Sequence, residues 1–255
     1  MVFHGQAPGH EHEQERVEKR PDEHGDEHGD EHGDEHGDEQ EYEPPPLPSL
    51  LFVITDRHRA SEPLTSVLSE AVRGGARWLR VREPDLELFA YVSLCHALIE
   101  SVSNAHVVWS VRPHAYAMLR TAYPELRLAV HLTGRDAEWT GAGESLLVGR
   151  SVHVAAGAVE RVPPLASYLL LAPVFDTACK PDATPLGVAA IGDCMRRSTR
   201  HVVALGGVTV ARVATCRDAG ASAVAVCGGI MESDEPVVRV REYLDAWAQI
   251  VHPPR

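Results

Sequence analysis

The sequence predicts an α/β protein: a single (β/α)₈ barrel preceded by a disordered low-complexity arm. Three observations carry that expectation. Eight short apolar runs recur between residues 50 and 226 with helical patterns between them, and such alternation builds a parallel sheet. Eight repeats in about 200 residues suit a closed barrel better than an open doubly wound sheet, which is the alternative architecture. The composition also changes abruptly near residue 48. Positions 1–48 hold 16 Asp/Glu and 3 Lys/Arg, a difference of −13, whereas positions 49–255 hold 21 of each. The formal charge of −13 therefore belongs to the arm alone. The domain boundaries expected are 1–48 for the arm and 49–252 for the barrel.

Within the arm the tetrapeptide His-Gly-Asp-Glu recurs four times in register from His24 to Glu39. Low hydrophobicity with high charge cannot offset the entropy of ordering, so disorder is expected. Pro44, Pro45, Pro46 and Pro48 then form a stiff spacer into the domain. The imidazoles of His24, His28, His32 and His36, joined by His4, His10 and His12, suit a divalent metal. A solvated acidic tail, or simple repeat expansion, is the competing reading.

From Leu50 onward the elements follow in order. Residues 51–54 form a buried strand ending in Thr55-Asp56, and a helix from about Pro63 to Arg73 stops at Gly74-Gly75. A strand over 78–82 and a helix around 86–103 come next. A third strand covers 106–110, and Pro113 opens the third helix at a position where proline is tolerated. Further strands are expected over 128–132, 146–149, 167–171, 201–205 and 223–226. Helical patterns lie at about 154–161, 188–198, 209–218 and 235–250, and the connection over 135–144 is the weakest. No run approaches 18 apolar residues, and Met1–Glu15 lacks a basic start followed by an apolar stretch. Neither a membrane span nor a secretory signal is expected, and a cytoplasmic location follows. The five cysteines, at 95, 179, 194, 216 and 227, form no CxxC pair and no zinc spacing. They read as free thiols, mostly buried.

In a barrel the chemistry sits just after each strand. Gly206-Gly207 follows strand seven and Gly228-Gly229 follows strand eight, each leading toward a helix. Two such loops at these positions can aim backbone N–H groups at a phosphate, with Gly187 adding another. The long sixth loop holds Thr177 and the only lysine of the domain, Lys180, a hydroxyl and an ammonium suited to an anion. His153 follows Arg150-Ser151-Val152 and can take and give a proton near neutral pH. His131 lies inside strand four and is expected to be structural. A phosphorylated small molecule is the partner expected, with no nucleic acid and no membrane surface. Divalent metal on the arm and a homo-oligomer stay open.

These residues, taken in order, resemble a known family. The segments are Leu51-Phe-Val-Ile-Thr-Asp56, Val81-Arg-Glu83, Val130-His-Leu132 with Asp136, Gly149-Arg-Ser-Val-His153, Ala172-Pro-Val-Phe-Asp-Thr177 with Lys180, Ala204-Leu-Gly-Gly-Val208 and Gly220-Ala-Ser-Ala-Val-Ala-Val226. They look like the thiamine phosphate synthase superfamily across essentially all of 50–247. The resemblance implies a TIM barrel, a thiazole phosphate ligand and a place in thiamine biosynthesis. The synthase branch joins a pyrimidine pyrophosphate to the thiazole phosphate with Mg²⁺. Its Gln-Leu-Arg-Glu-Lys motif is Arg80-Val-Arg-Glu-Pro84 here, and its Asn-Asp-Arg is Ser110-Val-Arg112. One metal-binding carboxylate is thus a valine, and Asp136 alone remains. These departures resemble the TenI-type thiazole tautomerases, in which Gly-Arg-Ser-Val-His and a Thr-x-Cys-Lys loop are typical. That branch implies an isomerase that aromatises a carboxythiazole phosphate by proton transfer, without a cofactor. His153 is then catalytic. Arg82, Ser151, Thr177 and Lys180 bind substrate, and Gly206, Gly207, Gly228 and Gly229 bind phosphate. If the chain is instead a synthase, Mg²⁺ at Asp136 is implied. A barrel that binds the ligand without turnover is the third reading.

Overall fold

Eight parallel strands close on themselves in sequence order, β1 through β8, in the computed structural model. It describes residues 43–102, 105–136, 139, 146–153 and 166–249. The arm with His24, His28, His32 and His36 lies outside the described residues, as do the stretch expected to be helical over 154–161 and most of the weak 135–144 connection.

The strands are β1 Leu51–Ile54, β2 Trp78–Arg80, β3 Val108–Val111, β4 Arg127–Leu132, β5 Val148–Val152, β6 Tyr168–Leu171, β7 His201–Leu205 and β8 Ala223–Val226. Pairing of β1 with β8 closes the ring. The helices are α1 Leu64–Gly74, α2 Leu88–Ser101, α3 Pro113–Ala122, α4 Ala189–Arg197, α5 Val213–Asp218, α6 Gly228–Met231 and α7 Pro236–Ala248. α3 begins on Pro113 as expected. The pattern over 209–218 resolves into a 3₁₀ turn, Val210–Arg212, followed by α5, and the short α6 was not anticipated. Among the described residues no helix is long and apolar enough to cross a membrane.

Alternation along each strand separates two cores. Leu51 and Val53 face outward, into a layer shared with the helices. Phe52, Ile54, Trp78, Val108, Ala129, Tyr168, Val203 and Ala223 fill the barrel interior. There Phe52 and Trp78 stack with ring centroids 3.8 Å apart, and Tyr168 meets Trp78 edge-on at 4.8 Å. Tyr168 fits only because position 149 is glycine: a Cβ at Gly149 would lie 2.0 Å from the Tyr168 ring. The proline-rich segment is more than a spacer. Leu47 packs against the interior cluster, and the Pro45 carbonyl accepts a hydrogen bond from Nε2 of His201 at 3.1 Å.

One strand differs from its expected position in a way that matters for the site. β5 runs to Val152 rather than stopping at Gly149. Arg150 and Ser151 look like loop residues because they are polar, yet they pair with Leu169 and Leu170 of β6. Both side chains find partners on β4 or just after it. Arg150 donates to the Asp136 carbonyl on the outside, and Ser151 meets His131 on the inside.

Candidate functional site

A cavity of about 830 Å³ opens at the C-terminal ends of the strands. Arg82, Ser151, His153, Thr177, Lys180, Gly206, Gly207, Gly228 and Gly229 all line it, so the barrel brings together residues spread over nearly 150 positions of sequence. Asp136 is not among the lining residues.

The inward-facing residues above the aromatic layer fall into two arcs, and Arg80, Ser151, Leu205, Ala225 and Ile54 among them line the cavity. From β2 to β5 they are Arg80, Ser110, His131 and Ser151, all polar. From β6 round to β1 they are Leu170, Leu205, Ala225 and Ile54, all apolar. Arg80 is only 7% exposed, and among the described residues no carboxylate pairs with it. Burial, helped by the charge of Arg82, lowers its pKa to about 10, so it stays cationic at neutral pH. Lys180 is also pushed down, first by burial and then by Arg82 and Arg80. With Arg59, Arg135 and Arg212 also lining the space, cations come from the ends of β1, β2, β4, β6 and β7, an arrangement that favours an anionic ligand in a partly dry cavity.

A hydrogen-bonded support holds Arg82 in place. The Thr55 hydroxyl accepts the Arg82 N–H at 2.9 Å and donates to the buried Glu83 carboxylate at 2.8 Å. Glu83 also accepts the Arg57 N–H at 3.1 Å and Nη1 of Arg57 at 2.9 Å. Glu83 therefore ties the loop after β1 to the loop after β2 rather than facing the ligand.

Behind Ser151 runs a chain of side-chain hydrogen bonds. Nε2 of His131 lies 2.9 Å from the Ser151 hydroxyl, and Nδ1 lies 2.8 Å from the Tyr168 hydroxyl. Nearby, the Ser110 Oγ accepts Nε1–H of Trp78 at 3.1 Å. Burial, then the charges of Arg80 and Arg82, drives the His131 pKa well below its ordinary value. A neutral ring needs one donor and one acceptor nitrogen, and two hydroxyl neighbours meet both needs. His131 is buried in the strand, as expected for a structural residue, and it also orients a cavity hydroxyl.

His153 stands just past β5. Its Nδ1 lies 3.1 Å from the Ala172 carbonyl, which can only accept, so Nδ1 carries the hydrogen. The neutral ring then keeps its lone pair on Nε2.

The glycine loops follow β7 and β8. Gly206 and Gly207 have φ of 94° and 63°, and a Cβ at Gly207 would lie 2.2 Å from the Asp176 carbonyl oxygen. No other residue allows the loop after β7 to press so closely on the loop after β6. Arg212 braces the turn by donating to the Gly207 carbonyl at 2.7 Å. Gly228 and Gly229 open α6, where N–H groups have no intrahelical acceptor. Gly187 does not join them, because its N–H is spent on the Val174 carbonyl at 3.0 Å.

The donor set does not fit a Mg²⁺ site. The Asp136 carboxylate accepts the Thr133 N–H at 2.5 Å within its own turn, and Val111 offers no ligand atom. The carboxylates that line the cavity are Asp176 and Glu232, and Glu232 is paired with Arg59. Hard oxygen ligands for a metal–pyrophosphate pair are lacking among these residues.

Sequence reasoning left Arg80 without a role, although it lies two residues beyond Trp78 and so on the same face of β2. Tyr168 joins the site only through barrel closure, for which a single sequence carries no local signal.

Comparison with known proteins gives consistent results. Residues 51–230 match the family described as thiamine monophosphate synthase. The chain is 29% identical over 211 residues to a thiamine-phosphate synthase of Roseiflexus castenholzii, covering 81% of this chain and 92% of that one. It is 30% identical over 207 residues to one from Methanoculleus marisnigri, covering 76% and 93%. Among solved structures, thiamine phosphate pyrophosphorylase from Pyrococcus furiosus shares the fold, with 22% identity, a TM-score of 0.66 and coverage of 78% and 95%.

Proposed function

Because the chain belongs to the thiamine monophosphate synthase family, we propose that it acts in thiamine biosynthesis on a thiazole phosphate, as a thiazole tautomerase. The observation that carries this reading is the fixed tautomer of His153 at the edge of a cavity lined by several cations and by two glycine loops. Nε2 of His153 takes a proton from the ring of the non-aromatic tautomer and returns one at another ring position, giving the aromatic form. Arg80, Arg82 and Lys180 hold the carboxylate end. Gly206, Gly207, Gly228 and Gly229 cradle the phosphate through backbone N–H groups, with Thr177 supplying a hydroxyl. Ser151, set by His131, contacts the ring. No step needs a metal, which accords with the donor set.

The test is to mix the purified protein with the non-aromatic carboxythiazole phosphate and follow aromatisation. Spontaneous and enzymatic rates that coincide would sink the proposal. A synthase remains the second reading, supported by the names of the relatives. Thiamine phosphate formed from both precursors with Mg²⁺ would establish it instead.

A further inference from the structure

Arg59 reaches the cavity from the loop after β1, and the proton transfer does not use it. The loop that carries it is tied to the segment after β8. The Ser61 N–H donates to the Met231 carbonyl at 2.8 Å, and the Ser61 hydroxyl donates to the Ser233 carbonyl at 2.9 Å. The guanidinium lies directly against Gly228: a Cβ there would come 2.9 Å from Nη2 of Arg59 and 3.2 Å from Oε1 of Glu232. Nη2 pairs with that same Glu232 oxygen. Nε is buried and has no hydrogen-bond partner among the described residues. Nε–H and one N–H of Nη2 form one edge of the planar guanidinium, a fork that grips a carboxylate or phosphate through two parallel hydrogen bonds. Glu232 thus uses half of the fork, and the other half is a desolvated donor left unmet, which costs free energy. The two partners are also held unequally. The Arg59 side chain is 25% exposed and that of Glu232 50%, so Glu232 can turn into solvent while Arg59 stays in place.

We propose that Arg59 is the side-chain cation of the phosphate site and that Glu232 is its stand-in anion, which yields Arg59 to the phosphate when the ligand binds. This rests on the reading of the glycine loops as the phosphate cradle. Phosphate oxygens accept Nε–H and Nη2–H of Arg59, while backbone N–H groups of the loops after β7 and β8 hold the rest of the group. Glu232 then turns to solvent. The exchange satisfies the orphaned Nε–H, and the charge of Arg59 has an anionic partner both before and after binding. It also makes the site selective. An uncharged alcohol in place of the phosphate cannot displace the carboxylate, whereas a phosphate monoester brings more negative charge and more acceptor oxygens than Glu232 offers. Gly228 is then glycine for a second reason, because any side chain there would push the guanidinium away from the loop.

The experiment titrates inorganic phosphate into full-length ¹⁵N-labelled protein and follows the amide signals of Gly206, Gly207, Gly228 and Gly229. The parent should show saturable shifts at these glycines. R59M should weaken phosphate at least about tenfold, and R59K, which keeps the charge but lacks the fork, should fall between. E232Q should bind phosphate at least about twofold more tightly, since a competing anion is gone. An ion pair that merely props the loop makes the opposite demand, because breaking it from either side would then weaken phosphate alike. R59M binding as tightly as the parent would overturn the proposal, and so would E232Q binding no more tightly than the parent. In both of those outcomes the parent still binds phosphate at the glycines, so the cradle stands without Arg59. Glycine amides that do not respond in the parent would remove the cradle, and this inference with it. The readout is binding rather than turnover, so it is separate from the test of the tautomerase reading.

Discussion

Nε2 of His131 sits 2.9 Å from the Ser151 hydroxyl, so a residue buried in β4 sets the orientation of a side chain at the cavity. The same burial has a consequence for stability. The His131 pKa is lowered in the folded protein, chiefly by desolvation. The unfolded chain therefore binds the extra proton, and stability falls as pH drops through the unfolded value of about 6.5. Above that pH the contribution vanishes. H131N should remove up to about 2 kcal/mol of the stability difference between pH 7.5 and pH 5, read by denaturant unfolding. Parallel pH profiles for parent and variant would refute this.

His153 carries the proposed proton transfer and makes no claim on affinity. H153Q should lower kcat by roughly 10²–10⁴ while leaving the ligand dissociation constant near the parent value. A variant that weakens binding and turnover equally would point to a binding role instead.

Arg80 is a buried cation without a paired carboxylate among the described residues. Charge of that kind costs stability and is retained where a ligand compensates it. R80M should unfold at equal or higher denaturant, by about 1–2 kcal/mol, and should bind carboxythiazole phosphate at least about tenfold more weakly, or about 1.4 kcal/mol. A variant that is less stable yet binds normally would contradict both halves.

Gly149 and Tyr168 share one space. G149A should cost about 1–3 kcal/mol by overpacking, and should disturb the Tyr168–His131 contact. Adding Y168L should recover part of the loss, so a thermodynamic cycle should show coupling beyond about 0.5 kcal/mol. Additive effects would mean that the ring moves aside freely.

Asp136 closes a turn through the Thr133 N–H. D136N should therefore cost about 1 kcal/mol of stability and leave aromatisation unchanged. Loss of turnover at full stability would return Asp136 to the chemistry, in favour of the metal-dependent synthase.

Legibility of the sequence followed the strength of the local pattern. β7 and β8 are apolar runs bounded by glycine loops or polar residues, and their bounds agree with expectation. β5 did not, because Arg150 and Ser151 are strand residues satisfied by groups on or just after β4, a partnership absent from local sequence. Among candidate residues, those just after strands were legible because barrel architecture predicts where they converge. Arg80 was legible as a residue at the end of its strand, but its burial without a paired carboxylate, like the contact of Tyr168 with His131, is recognised only once the neighbours are known.

The two arcs also separate two kinds of selection on this barrel. Substitutions within the arc from β2 to β5 alter charge and the proposed proton chemistry, whereas those from β6 round to β1 alter shape and the proposed phosphate grip. A barrel built this way can exchange its reaction by revising one semicircle while the other keeps the same handle on its ligand. Relatives with different chemistry on a common phosphorylated fragment would then differ chiefly at the positions of Arg80, Ser110, His131 and Ser151.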